Sequence, residues 1–152
     1  MIPSRVSRRV VGDRLALAAE YLAEIRGLPL ADRDAFLGDR RNVAAAESYL
    51  RRALEALLDI GRHILAKGFA KGVTEYEEIA VALGEVGVLG AGEARLLSIM
   101  AGYRNRMVHF YHEITPEELH SICAEQIGDV ERVTDAYRAW VTAHPERVSE
   151  EL

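Results

Sequence analysis

The sequence predicts an all-α protein, folded as an antiparallel bundle of four to five helices. Apolar residues recur at three- and four-residue spacing along nearly all of the 152 residues, and no stretch alternates apolar and polar residues as a strand does. The composition, 49% hydrophobic and 28% charged, is typical of a globular domain. Because no Pro- or Gly-rich linker divides the chain, we expect a single domain over residues 1–152, with its core at about 10–142 and flexible termini.

The first half of the chain predicts two long helical stretches. The first covers residues 11–25, with Asp13 as a candidate N-cap and Gly27 after its end. The second opens near Asp32, has a candidate break at Gly38, and continues as an apolar repeat over 43–64 that ends before Gly68. The repeat lies in a segment rich in Ala, Leu, Glu and Arg, which are good helix formers. This longest helix is expected at the centre of the bundle.

Three further helices are predicted in the second half. The capping-box spacing of residues 74–77 begins a short helix that ends near Val86. The next helix runs over 93–109. Residues 115–118, Thr-Pro-Glu-Glu, supply a cap, a first-turn proline and a box acid for a last helix that reaches Trp140.

The charge balance limits the classes of partner. The 19 basic and 24 acidic residues give a net charge of −5, so we expect no binding to duplex DNA through a bulk basic surface. Seventeen of the basic residues are arginines, whose forked guanidinium suits a local phosphate contact. The one cysteine, Cys123, excludes an intramolecular disulfide and a cysteine-based zinc cluster, and is expected to fill the core.

Neither a signal peptide nor a membrane-spanning helix is expected. Acidic residues interrupt the apolar stretch that follows the first arginines, and no apolar run approaches the roughly 18 residues that a transmembrane helix needs. The sequence therefore predicts no membrane association and a cytoplasmic location.

Residues 103–113 concentrate the chemically useful side chains. This segment, Tyr-Arg-Asn-Arg-Met-Val-His-Phe-Tyr-His-Glu, holds two of the five histidines, two arginines, an asparagine and two tyrosines. Arginine offers a fixed cation for a phosphate, and histidine transfers protons near neutral pH. The segment is the candidate functional site.

Helical geometry predicts which way this cluster points. At 100° per residue, Asn105 and His109 lie roughly opposite the apolar stripe, and Arg104 and Tyr111 lie on the flank between. We therefore expect the polar side chains to point out of the bundle, where a second copy would form a shared cleft in a homodimer. The stripe expected to face the core consists of Leu96, Ile99, Tyr103, Met107 and Phe110.

The pattern Arg104-Asn105-x-x-x-His109-x-Tyr111 resembles the Arg-x4-His-x-Tyr signature of HEPN-domain toxins of the HepT type. Further similarity lies in Ala-Leu-Leu-Asp-Ile-Gly-Arg-His-Ile of the long helix and in Tyr76, which opens the short helix. The resemblance covers about residues 10–142. It implies a dimerising helical bundle, a metal-independent endoribonuclease site at the dimer interface without a cofactor, and an antitoxin partner of the minimal nucleotidyltransferase type.

The residues and the resemblance together assign roles at the site. Arg104 would bind the phosphate of an RNA substrate, His109 would act as general acid and base, and Asn105 would orient the phosphate or the histidine. Tyr111 would be nucleotidylated or would contact substrate. In the competing structural interpretation, Arg104 is a helix-end cation paired with Glu93 or Glu113, and the other side chains only pack or cap.

Two further functional hypotheses remain open on the sequence. One is a non-catalytic HEPN module that binds nucleotide, RNA or a nucleotidyltransferase. The other is a metal site at His109, His112 and Glu113, which is disfavoured because the spacing lacks the glutamate of a zincin helix and a third ligand. Residues expected to be structural or solvated are His63, His120, His144, Arg40, Arg41, Arg51, Arg52 and Arg138, and the roles of His112 and Arg106 are left open.

Overall fold

The computed structural model describes residues 4–109 and 114–150, which form seven α-helices around one core. The all-α bundle is confirmed, and the predicted last helix is divided in two at Gln126. The elements are β1 (Val6–Ser7), α1 (Arg8–Arg26), α2 (Arg33–Leu37), α3 (Arg40–Phe69), α4 (Tyr76–Glu85), α5 (Ala91–His109), α6 (Pro116–Glu125), α7 (Ile127–Ala143), a 3-10 turn (Pro145–Arg147) and β2 (Val148–Ser149). None of the helices in this part of the chain is long and apolar enough to cross a bilayer.

Helix α3 is the centre of the bundle. Its 30 residues span about 45 Å, and it contacts all six other α-helices. Gly61, midway along α3, permits the closest approach: a Cβ there would lie 2.7 Å from side-chain atoms of Ile79 and Leu83 and 2.9 Å from the Tyr137 hydroxyl. The absence of a side chain at this position lets α4 and α7 both pack against α3.

Side-chain caps begin several of the helices, although two predicted caps are wrong. Thr115 accepts a hydrogen bond from the Glu118 amide at 3.1 Å, as expected. Helix α1 begins before Asp13, because the Ser7 hydroxyl accepts from the Val10 amide at 3.2 Å. Helix α4 has Glu75 at its N-cap without a side-chain hydrogen bond, so the capping box predicted over residues 74–77 does not form.

The described ends of the chain meet beside the end of α3. Strands β1 and β2 pair in parallel, with Val6 opposite Val148, and both valines are buried. Gly68 lies within α3, not after it as predicted, and its missing side chain leaves room for Val6. The sequence predicted no strand, because two residues are too few to show alternation.

The core-facing stripe predicted for α5 is right for three of its residues and wrong for Ile99. Leu96, Tyr103 and Met107 are partly buried against the core, whereas Ile99 is 42% exposed. The fully buried residues of the described helix are Leu97, Met100 and Ala101. The prediction followed the largest apolar side chains, but packing against α3 and α4 selects the face of Leu97 and Ala101, spaced by four residues. Arg104, seven residues after Leu97, continues that inward face.

Candidate functional site

Three of the four predicted site residues line one cleft. It lies between the C-terminal half of α5, the start of α4 with its preceding loop, and α3. The structure brings together Arg104, Asn105 and His109 there, whereas Tyr111, with Phe110, His112 and Glu113, lies outside the described residues. The lining residues are Arg62, Thr74, Glu75, Tyr76, Glu77, Arg104, Asn105 and His109.

Arg104 points into the bundle, so the prediction that its side chain faces outward is wrong. Its side chain is 18% exposed, and its Nε and Nη2 donate to one oxygen of Glu55 on α3, at 3.0 and 2.9 Å. The helix-end ion pair considered with Glu93 does not form, since Glu93 accepts from Arg132 on α7. Arg104 points inward because α5 packs on the bundle through the face that carries Leu97 and Ala101, and Arg104 lies on that face.

Asn105 links Arg104 to the start of α4. Its side-chain oxygen accepts from Arg104 Nη1 at 3.2 Å, and its Nδ2 donates to Glu77 at 2.5 Å. His109, in the last turn of α5, is exposed as predicted and lines the same cleft. The cleft thus presents a guanidinium that is held on several sides, together with an accessible imidazole.

Tyr76 forms one wall of the cleft beneath two cations. The guanidinium carbons of Arg104 and Arg62 lie 4.6 and 4.9 Å from the centroid of its ring. The Tyr76 hydroxyl donates to Asp59 at 2.9 Å. Burial, followed by the hydrogen bond and the negative charge of Asp59, raises the pKa of Tyr76, so the phenol stays protonated and keeps this bond at neutral pH.

Two carboxylates of α3 organise the charge behind the cleft. Glu55 and Asp59 lie one turn apart, and each contacts two arginines. Glu75 and Glu77 at the mouth offset the excess of positive charge. An anion would therefore be recognised by directed N–H groups more than by net charge. The closest N···O distances from Arg14, Arg51, Arg62 and Arg104 to these two carboxylates are 3.6, 3.3, 3.2 and 2.9 Å.

The sequence did not predict that Glu55 and Tyr76 contact Arg104, or that Asp59 and Glu77 support these contacts. Glu55 and Asp59 are acids spaced by four residues in an otherwise apolar part of α3, and this spacing is the signal that could have found them. Tyr76 and Glu77 follow a loop, and nothing in the sequence alone aligns that loop with α5. Arg106, two residues after Arg104, points elsewhere and pairs with Glu118 on α6 through two bonds of 2.9 and 2.7 Å.

The histidines assigned to structure have structural contacts. His63 Nε2 accepts from the Ser7 amide at 3.0 Å, and burial, followed by the charges of Lys67 and Arg14, lowers the pKa of His63. The His120 Nε2 lies 2.8 Å from the Leu30 carbonyl. His144 stacks on Trp140.

Cysteine chemistry and metal binding find no support in the described residues. Cys123 is buried in the core as predicted, and burial raises the pKa of its thiol to about 12. Across residues 4–109 and 114–150, no three His, Cys, Asp or Glu side chains are grouped to hold a metal ion. The hypothetical site at His109, His112 and Glu113 lies partly outside these residues.

A family profile and a known protein that match this chain point to the same family. The profile of the family described as ribonuclease HepT-like matches residues 18–137. The chain is 29% identical to the tRNA nuclease HepT of Aphanizomenon flos-aquae over 111 residues, which are 72% of this chain and 75% of that protein.

Solved structures share the fold at low sequence identity. A tri-AMPylated HEPN toxin of Shewanella oneidensis, in complex with an MNT antitoxin, has a TM-score of 0.77 at 21% identity and covers 86% of this chain and 97% of its own. YutE of Bacillus subtilis, described as a cytosolic protein of unknown function, has a TM-score of 0.78 at 18% identity and covers 94% and 96%. These likenesses establish the helical architecture.

Proposed function

This chain belongs to the HepT-like ribonuclease family, and we propose that it is the toxin of a two-gene toxin–antitoxin pair that cleaves RNA as a homodimer without a metal ion. The observation that carries the proposal is the common cleft of Arg104, Asn105 and His109. These residues occupy the positions of the family signature. A fixed guanidinium beside an accessible imidazole is the pair of groups that metal-free phosphodiester transfer requires.

In the proposed reaction, the nucleophile comes from the substrate. His109 removes the proton of a ribose 2′-hydroxyl, whose oxygen attacks the adjacent phosphorus and displaces the 5′-oxygen of the next nucleotide. The His109 of a second copy donates a proton to that leaving oxygen. Arg104 stabilises the charge on the pentavalent phosphorus centre, and Asn105 holds Arg104 in place. The upstream product carries a 2′,3′-cyclic phosphate.

An exposed apolar side chain beside His109 supports the second copy. Val108, the residue before His109 on α5, is 38% exposed. Burial of this side chain against a partner copy would contribute favourable free energy close to the cleft. A monomer by sedimentation at micromolar concentration would contradict a composite site.

The names of the relatives suggest the substrate and the partner. Since a curated relative is a tRNA nuclease, we infer that tRNA is the RNA to test first. Since a solved relative is a tri-AMPylated toxin bound to an MNT antitoxin, we infer a minimal nucleotidyltransferase antitoxin and modification at Tyr111 for this chain. We further infer that residues 1–152 act as a single domain, in the cytoplasm.

Cleavage in the presence of a chelator tests the proposal. The purified protein is incubated with tRNA and with single-stranded DNA in EDTA, and product ends are analysed by mass spectrometry. We expect cleavage of the tRNA only, with 2′,3′-cyclic phosphate ends. Loss of cleavage in EDTA that a divalent ion restores would instead support the metal site at His109, His112 and Glu113.

The Glu55 ion pair favours a second candidate, a non-catalytic binding module. Glu55 already compensates the charge of Arg104, which weakens its attraction for a phosphate in a transition state. Such a module would bind nucleotide, RNA or the nucleotidyltransferase without cleaving RNA. Stable tRNA binding with no product in the same assay would select this candidate.

A further inference from the structure

We propose that Tyr76 is a positioning residue for Arg104. Its ring sets the plane of the guanidinium so that the N–H groups not used within the protein face the cleft. This inference deepens the proposed ribonuclease function and rests on it, because it concerns the same cleft.

The hydrogen bonds of Arg104 leave two N–H groups available for a ligand and leave the guanidinium plane able to rotate. Among the contacts of the described residues, three bonds to Glu55 and Asn105 use three of its five N–H groups, so two remain for a phosphate. Both bonds to Glu55 converge on a single oxygen, about which the guanidinium plane can turn. The Tyr76 ring, 4.6 Å from the guanidinium carbon, covers one face of that plane and removes this freedom.

Tyr76 is itself held from two sides. Its hydroxyl donates to Asp59 at 2.9 Å, and the guanidinium of Arg62 lies over its ring. Arg62 also donates to the carbonyl oxygens of Val73 and Thr74, at 3.3 and 2.9 Å, and so ties the loop before α4 to α3. The ring is therefore a fixed surface on which Arg104 can rest.

Attachment of α4 to the bundle does not depend on this ring. Ile79 and Leu83 are fully buried and pack at Gly61 of α3, whereas Tyr76 is half-buried at the first position of α4. Replacement of Tyr76 by an apolar side chain should thus leave α4 in place while freeing Arg104. This separation makes a positioning role distinguishable from a structural one.

Single-turnover and steady-state cleavage of tRNA by Tyr76→Leu tests the inference. We expect kcat to fall about 10- to 100-fold, with KM changed less than about threefold, because a displaced Arg104 is lost mainly from the transition state. Tyr76→Phe keeps the ring and should restore kcat to within about threefold of wild type. If Tyr76→Leu does not fold, Tyr76→Met takes its place.

The matched control is Tyr103→Leu. Tyr103 is also half-buried, precedes Arg104 in sequence, and donates one hydrogen bond to a side chain, Gln126, at 3.1 Å. It lies outside the cleft, so its loss should leave kcat within about threefold of wild type. Equal losses of kcat in Tyr103→Leu and Tyr76→Leu would overturn the positioning role.

An NMR measurement decides the inference independently of cleavage. The Arg104 Nε–H resonance is assigned by its absence from the spectrum of Arg104→Lys. Heteronuclear relaxation of this resonance should show a rigid Nε–H bond in wild type and a mobile one in Tyr76→Leu. An unchanged resonance would overturn the inference even in an active enzyme. If the wild type cleaves no RNA, the proposed function fails, while this resonance still tells whether Tyr76 holds Arg104.

Discussion

Two tyrosines donate hydrogen bonds to the same turn of α3 from different regions of the molecule. Tyr137, on α7, donates to the Leu57 carbonyl at 2.9 Å, and Tyr76, on α4, donates to the Asp59 carboxylate at the same distance. Tyr137 is fully buried among apolar side chains. Tyr76 is half-buried and carries two guanidinium groups over its ring.

Because the two hydrogen bonds have the same length, the burial of each ring and the partner of each hydroxyl must decide what each tyrosine does. Burial raises the pKa of both, but Tyr137 buries its whole ring in the core and places its hydroxyl at the space that Gly61 leaves open. Tyr76 contributes less buried area and instead orients charged groups at the cleft. One tyrosine should therefore control stability, and the other should control activity.

The largest expected effect on stability is that of Tyr137→Ala. Removal of a fully buried aromatic side chain should lower the free energy of unfolding by about 3–5 kcal/mol, because a cavity remains. Tyr76→Ala should cost only about 1–2 kcal/mol, since its ring is partly solvated. Urea unfolding followed by circular dichroism measures both values, and equal losses would break the comparison.

Gly61→Ala should have the next largest effect. The new methyl group would lie 2.7 Å from atoms of Ile79 and Leu83 and 2.9 Å from the Tyr137 hydroxyl, so these side chains must shift. We expect a loss of about 1–3 kcal/mol, typical of overpacking, despite the better helix propensity of alanine. Gly12→Ala on α1, where nothing lies within 4 Å, is the matched control and should not destabilise.

Removal of the hydroxyl group alone should give a smaller difference between the two tyrosines in the free energy of unfolding. Tyr137→Phe should lose about 1 kcal/mol of stability, the net worth of a buried hydrogen bond. Tyr76→Phe should lose less than about 0.5 kcal/mol, because Asp59 keeps its arginine partners and contacts solvent. A larger loss for Tyr76→Phe in the same urea titration would contradict this order.

His63 should give a small pH dependence that neither tyrosine gives. Its folded-state pKa is lowered, so below its ordinary value of 6.5 the unfolded chain binds a proton more readily than the folded one. This contribution to stability is present above pH 6.5 and is lost as the pH falls. Urea unfolding at about pH 7.5 and about pH 5.5 should show a smaller decrease for His63→Gln, whose side chain can still accept from Ser7. An equal decrease would assign the pH dependence to other groups.

The sequence predicted the architecture better than it predicted the orientation of α5. Apolar spacing located the long helices, and Thr115 located the start of α6, because helical period and capping are local properties. The exposure of Ile99 was not predicted, since Ala101 buries less apolar surface than Ile99 would and only packing against other helices places Ala101 in the core. That choice depends on residues distant in sequence.

The same reason limits what could be foreseen at the candidate site. The spacing of Arg104, Asn105 and His109 along one helix sufficed to predict that they lie at one site. Glu55 and Tyr76 are 49 and 28 positions from Arg104, and they meet it only through the folded bundle. Short-range patterns identified Arg104 as a residue of the site, whereas the contacts that hold its guanidinium could be found only in the structure.

The single-turnover rate of His109→Ala in EDTA shows whether the Arg104–His109 cleft performs the proposed metal-free RNA cleavage. We expect a rate about 100- to 10,000-fold below wild type, with tRNA affinity and urea unfolding essentially unchanged, because His109 is exposed and is proposed to transfer the proton. His144→Ala, which alters a histidine that stacks on Trp140 away from the cleft, should cleave at the wild-type rate. A wild-type rate in His109→Ala would show that His109 is not the general acid and base of this cleft.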